Sequence, residues 1–363
     1  MASLTDLYSS QGQSIWLDNL SRAHLRNGAL RSRIAQGVRG LTSNPTIFAK
    51  AIQGSDDYDE QFATLISSGT TATDAYWEMV IDDIRAACDE FHPLFMTSRG
   101  VDGFVSVEVA PELARDTNGT LAAAKELHAR VDRQNVMIKI PATLEGLPAI
   151  RAMIAAGCSV NVTLIFSLER HLDVMEAYIA GLEDYAAQHP GDLSHIASVA
   201  SFFISRVDSL VDPLLTEVPQ LQGHAALAQG RLAYANFMNT FTGDRWKALA
   251  ARGALVQRPL WASTGTKNPS YSDVVYLDGL IGPDTVNTVP EGTLDSYLDH
   301  GSIDRTVDAH SSRDREVWNA LAEAGIDMSA VAEQLEDEGV RSFAASFDEV
   351  IAALESKAAT LRG

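Results

Sequence analysis

The chain has 363 residues, 46% of them hydrophobic, so a large core is available; roughly two domains or one α/β barrel of about 250 residues with additions would fit this length. The balance of 28 Lys and Arg against 48 Asp and Glu leaves a net charge of −20, which argues against binding to nucleic acid or to anionic membrane lipid. The two cysteines, Cys88 and Cys158, make neither a secreted disulfide framework nor a Cys-x-x-Cys metal site. The N-terminus lacks a basic stretch followed by an apolar one, and no run approaches the roughly 18 apolar residues of a membrane span. A soluble cytoplasmic protein is the expectation.

In chain order, short apolar runs rich in β-branched residues alternate with segments of helical period. Strands are predicted near 14–20, 38–44, 103–109, 136–141, 159–166, 196–202, 258–263 and 284–289. Several are continuous apolar runs, as parallel strands covered on both faces require. Helices are predicted at 74–91, with Trp77, Val80, Ile81 and Ile84 at helical spacing, at 145–156, and at 168–187, where Leu168, Leu172, Met175 and Ile179 form one stripe. After 312 the strand signal stops, and helices are predicted near 312–324 and 340–361. The last carries Phe343, Phe347, Val350, Ile351 and Leu354 on one face that must be buried somewhere. Eight alternations predict a (β/α)8 barrel, with a doubly wound open sheet as the rival. No linker cuts the chain, so 1–363 reads as a single barrel domain with 312–363 a helical extension packed on it.

Polar residues inside these strands point to chemistry. Lys139 sits in Val136-Met137-Ile138-Lys139-Ile140-Pro141, and a lysine in a buried strand is costly unless it is paired or neutral. Turned into the barrel it would offer an amine nucleophile; otherwise it is neutralised by a carboxylate or reaches water at the strand end. Asp18 and Glu108 occupy comparable apolar runs. Asp18 would serve equally as the N-cap of a following helix, and Glu108 as the structural counter-ion of Lys139. A lysine flanked by two carboxylates can form a Schiff base and have protons moved around it. Asn161 and Thr163 share one strand face, and Asn44, Ser201 and Ser263 lie near the ends of other strands. Such a set resembles a sugar site at the carboxyl face of a barrel. Arg206 and Lys267 follow strand ends and are anion-binding candidates, each with a solvated surface charge as the plainer reading. Arg22, Arg26, Arg31, Arg33 and Arg39 read mainly as a solvated helix face.

Other chemistries find little support. The nine histidines are scattered without metal-ligand spacing, and neither a glycine-rich nucleotide loop nor a Gly-x-Ser-x-Gly elbow occurs. A pyridoxal-phosphate barrel enzyme, which also needs a strand lysine, and a non-catalytic sugar-phosphate-binding protein are the alternatives.

The motifs Gly40-Leu41-Thr42-Ser43-Asn44-Pro45-Thr46-Ile47-Phe48, Val105-Ser106-Val107-Glu108-Val109 and Ile138-Lys139-Ile140-Pro141-Ala142-Thr143 occur in this order. They are followed by Asn161-Val162-Thr163-Leu164-Ile165-Phe166-Ser167 and Ser201-Phe202-Phe203-Ile204-Ser205-Arg206. Taken together, the chain resembles the transaldolase family over nearly its whole length, in a longer bacterial form. The resemblance implies a (β/α)8 barrel of the pentose phosphate pathway, cytoplasmic, needing no cofactor or metal, and either monomeric or homodimeric. It implies transfer of a dihydroxyacetone unit between sugar phosphates: sedoheptulose 7-phosphate and glyceraldehyde 3-phosphate exchange with erythrose 4-phosphate and fructose 6-phosphate. Carried over by motif, Lys139 would be the Schiff-base lysine and Asp18 the acid/base of carbon–carbon cleavage. Glu108 and Thr163 would handle the proton and water of carbinolamine dehydration. Asn44, Asn161 and Ser201 would hold sugar hydroxyls, and Arg206 the phosphate, with Ser263 and Lys267 beside it. Two departures stand out. Many members have an arginine soon after the serine matching Ser263, where this chain has Thr264-Gly265-Thr266 and then Lys267. Their Ser-Pro-Phe is Ser201-Phe202-Phe203 here, and a shorter branch that performs aldol cleavage carries tyrosine at the position of Phe203. Phenylalanine and length both favour transfer, with Phe203 helping to keep water from the bound intermediate.

Overall fold

Eight parallel strands close into a barrel in sequence order: β1 (Gln13–Leu17), β2 (Leu41–Thr42), β3 (Val105–Glu108), β4 (Val136–Pro141), β5 (Val160–Ile165), β6 (Ser198–Phe203), β7 (Arg258–Ala262) and β8 (Thr285–Val289). The structure is a computed structural model that describes residues 2–362. Helices cover the outside, so every strand is buried along its length, as the continuous apolar runs require. The barrel expected from the alternation is the one found, and β4 spans the predicted 136–141.

Every strand but β4 is shorter than its predicted run, and the cuts in β1 and β2 bear on the site. The run 14–20 pairs only as far as Leu17, which leaves Asp18 as the first residue beyond β1. The run 38–44 is regular strand only at Leu41–Thr42, although just before it Arg39 N–H donates to Ile15 and Gly40 accepts from Leu17. The segment entering β2 is squeezed against the core: a Cβ on Gly40 would meet the Trp16 indole at 2.5 Å. Beyond Thr42 the chain turns at once into the helix Pro45–Gln53, with Asn44 as its cap and proline in its first turn. In consequence β1 and β2 share a single register pair, Leu17↔Leu41, whereas β1 and β8 share five.

The predicted 74–91, 145–156 and 168–187 are found as Ala72–Thr97, Gly146–Ala155 and Leu168–Gln188. After the strands come Ser311–Glu323, close to the predicted 312–324, and a terminal helix, Met328–Arg362, that starts well before the predicted 340. Gly339 lies inside this helix. The helix crosses β5 there so closely that a Cβ at 339 would stand 2.9 Å from Leu164. Of the predicted stripe, Phe343, Phe347, Val350 and Leu354 are buried and Ile351 is half-buried.

The arginine stretch departs from its predicted role. Arg26 and Arg31 are exposed, but Arg22 is buried, its Nε 2.8 Å from Asp83 Oδ1 and its guanidinium over the Tyr58 ring. Arg39 pairs at 2.6 Å with Asp102, which is fully buried at the N-terminal end of the strands. Asp102 also pairs with Arg258 at 3.0 Å and accepts hydrogen bonds from Ser14 and Trp16. The partners come from distant segments, so no nearby acid marks these arginines as buried. Among the described residues, no helix is long and apolar enough to cross a membrane.

Candidate active site

Strand register brings the chemistry together. Glu108 on β3 pairs with Lys139 on β4, which in turn pairs with Asn161 on β5. All three are buried, and Lys139 Nζ stands 3.1 Å from Glu108 Oε2. The same amine donates to the carbonyl of Ser43, just past β2, at 3.0 Å. Lys139 is therefore turned inward and tethered on two sides. The counter-ion reading of Glu108 is correct as geometry, and it does not compete with catalysis, because the pair lies in the barrel mouth.

Asp18 does not cap a helix; Ser21 caps Arg22–Arg26 instead. The Asp18 backbone N–H donates to Val289 at 2.8 Å, extending the β1–β8 seam by one bond. Its carboxylate accepts the Thr42 hydroxyl at 2.8 Å, and Thr42 in turn meets Thr288 at 2.6 Å. Burial pushes the Asp18 carboxyl above its ordinary range, while the charges of Lys139 and Lys267 and the Thr42 hydrogen bond hold it down. Burial also raises Glu108, opposed by Lys139 and reinforced by the charge of Asp18. Burial thus shifts both carboxyls toward their protonated forms, the direction that general acid–base work calls for.

A polar row crosses the neighbouring strands. Ser201 on β6 donates to Asn161 Oδ1 at 2.7 Å, and Asn161 Nδ2 donates to Ser106 on β3 at 3.0 Å. Thr163 is buried with no hydrogen-bond partner for its hydroxyl. Just after it the ladder slips between Val162 and Ile165, and Leu164 takes a left-handed φ of 60°. Such a conformation is strained for leucine, and a bulge of this kind re-aims the strand next to it.

The remaining predicted residues have partners of their own. Asn44 spends its side-chain oxygen on Ile47 N–H at 2.9 Å, so only its amide N–H groups face elsewhere. Ser263, just beyond β7 with φ of 54°, shares a hydrogen bond of 3.1 Å with Ser205. Arg206 is half-buried, 5.6 Å above the Phe203 ring, and burial lowers its pKa against the opposing charge of Glu338. Lys267 is exposed in the loop after β7. Sequence reasoning missed Thr42, Thr288, Ser106 and the Ser43 carbonyl. It also missed Phe343, whose ring centroid lies 6.0 Å from Lys139 Nζ. Thr42 and Ser106 stood inside quoted motifs, and Phe343 stood on the apolar stripe, but no local signal said what that stripe covers. Among the described residues, no group of three or more His, Cys, Asp or Glu side chains is arranged to hold a metal ion.

The centre of the site is thus a buried lysine amine with a buried carboxylate 3.1 Å away. The family model for transaldolase/fructose-6-phosphate aldolase matches residues 15–354. A transaldolase of Saccharopolyspora erythraea is 51% identical over 348 residues, covering 94% of each chain. One of Thermobifida fusca is 51% identical over 97% of each chain, and one of Trichodesmium erythraeum 44% identical over 95% of each. The chain belongs to the transaldolase/fructose-6-phosphate aldolase family. It is an enzyme of the transaldolase type, a transferase, whose reaction lies in the pentose phosphate pathway.

Proposed function

We propose that the transfer runs through an imine on Lys139, and that a dihydroxyacetone unit passes from a ketose phosphate such as fructose 6-phosphate to an aldose phosphate. The observation that carries this reading is the buried Lys139 amine, 3.1 Å from Glu108 and within the electrostatic reach of Asp18. The amine attacks the ketose C2 carbonyl, replacing one difficult cleavage with easier covalent steps. Glu108 donates the proton with which the carbinolamine loses water, and the unpaired Thr163 hydroxyl holds that water. Asp18 takes the C4 hydroxyl proton as the C3–C4 bond breaks, the electron pair moving toward the iminium to give an enamine. The aldehyde leaves, and a second aldehyde is added by the reverse steps.

Asn161, Ser201 and the Asn44 amide hold sugar hydroxyls. Arg206 binds the phosphate, with Ser263 and Lys267 beside it. Lysine supplies charge without a bidentate fork, so Arg206 carries the geometry of that contact. A protein of charge −20 gives an anionic substrate no long-range attraction, which leaves capture to these few cations. The enzyme is proposed to work in the cytoplasm, without cofactor, as a monomer or homodimer, with the barrel and residues 312–363 acting as one domain.

Borohydride added with fructose 6-phosphate should fix a sugar adduct on Lys139, and Lys139→Ala should trap none. An unmodified Lys139 peptide would reject the imine. A coupled assay of fructose 6-phosphate with and without erythrose 4-phosphate should show rapid turnover only with the acceptor.

A further inference from the structure

We infer that Phe343, on the terminal helix, decides whether the enamine on Lys139 waits for an aldehyde or is lost to water; this rests on the imine proposed for Lys139. The Phe343 ring is buried and its centroid lies 6.0 Å from Lys139 Nζ. With Val340, Leu164 and Pro141 it walls a cavity of about 10 Å³ that borders Glu108.

The helix is pinned on both sides of this ring. Toward its start, Glu336 pairs with Arg170 at 2.9 Å and with Arg115 at 3.2 Å. Gly339 permits the close crossing over Leu164. Beyond the ring, Ser346 and Thr46 share a hydrogen bond of 2.8 Å, and Phe347 packs edge-on against Tyr76 at 5.3 Å. Phe203 packs instead on Phe166 at 5.0 Å and beneath Arg206. Phe343 is thus a fixed apolar wall beside the amine.

The route it closes is balanced and needs only water. The enamine takes a proton on carbon to become an iminium, water adds to the iminium carbon, and the C–N bond breaks. Dihydroxyacetone and the free lysine result, so a ketose phosphate has been split rather than its unit transferred. A buried ring beside the amine denies water the approach to the enamine carbon and so holds back the protonation that commits the unit to loss; the addition of water to the iminium carbon that follows is the same step that releases the ketose product in normal turnover.

The test measures free dihydroxyacetone released from fructose 6-phosphate alone, relative to transfer with erythrose 4-phosphate, in wild type, Phe343→Ala and Phe343→Leu. The ratio of release to transfer should rise about tenfold in Phe343→Ala, the change that about 1.4 kcal/mol of relative barrier produces. Phe343→Leu, which keeps most of the volume and is the deciding variant where Phe343→Ala does not fold, should show a smaller rise. Borohydride should still fix an adduct on Lys139 in the variants. An unchanged ratio with the adduct retained overturns the role of Phe343 alone, since a purely structural ring would lower both rates together. A wild-type enzyme that gives no adduct on Lys139 overturns the imine and this inference with it.

Discussion

Replacing Asp102 by asparagine should destabilise the barrel without touching its chemistry. The Asp102 carboxylate is fully buried and neutralises two cations, with Arg39 Nε at 2.6 Å and Arg258 Nη2 at 3.0 Å. It also accepts the Ser14 hydroxyl at 2.9 Å and the Trp16 indole N–H at 3.3 Å. Asparagine keeps the shape but leaves two largely buried guanidinium groups without a counter-charge, and breaking a buried pair in this way costs about 3–5 kcal/mol. The unfolding entropy of about 2.1 cal/mol/K per residue amounts to about 0.76 kcal/mol/K over 363 residues, so a loss of about 4 kcal/mol lowers Tm by about 5 °C.

The effect has a defined pH dependence. Burial alone would raise the Asp102 carboxyl, but Arg258 and Arg39 outweigh it and hold the group below its ordinary value. A carboxyl depressed in the folded state stabilises above its unfolded pKa and loses that contribution as pH falls through the folded one. The gap between wild type and Asp102→Asn should therefore be constant near neutrality and shrink below about pH 4. Calorimetry across pH, with transfer assays at 25 °C, checks both points. The cluster sits at the N-terminal ends of β1 and β7, away from Lys139, so kcat and KM should hold. A loss under about 1 kcal/mol, as for a solvated pair, or a gap that persists in acid, would refute the reasoning.

Three further outcomes follow from the site. Asp18→Ala should retain the borohydride adduct on Lys139 yet lose turnover by roughly 10²–10⁴-fold, the usual contribution of a general acid or base; unaltered transfer would exclude its role. Arg206→Ala should raise KM for fructose 6-phosphate by roughly 30-fold, the equivalent of about 2 kcal/mol for a charged hydrogen bond, and leave KM for unphosphorylated fructose unchanged. Equal effects on both would reject Arg206 as the phosphate ligand. Thr163→Val, which keeps the shape of the side chain, should slow adduct formation measured by rapid quench, while aldehyde exchange on a preformed enamine stays fast.

The barrel was legible because its central strands are continuous apolar runs, and β4 was bounded to the residue by its flanking Asn135 and Ala142. Lys139 and Glu108 stood out because charge is rare in such runs, and the register that sets them opposite each other came only with the structure. What escaped reading depends on contacts far apart in the chain. Arg22 and Arg39 look solvated until Asp83 and Asp102 arrive from other segments. The terminal helix starts well before the predicted 340, and at Gly339 it crosses Leu164 too closely for a side chain. Local periodicity told that Phe343 must be buried, and only tertiary structure told that it is buried against Lys139.

The brevity of β2 has a mechanical consequence. A closed barrel resists shear through its ladders, and the ladder between β1 and β2 holds a single register pair where its neighbour across β1 holds five. Thermal breathing should therefore start at Leu41–Thr42, where amide hydrogens would exchange sooner than those of β4 or β6. Thr42 grips Asp18, and the next carbonyl, that of Ser43, receives the Lys139 amine. The shortest strand of the cylinder is thus also the mount of its two reacting groups. A small opening there would shift acid and amine relative to each other while the rest of the wall stays still.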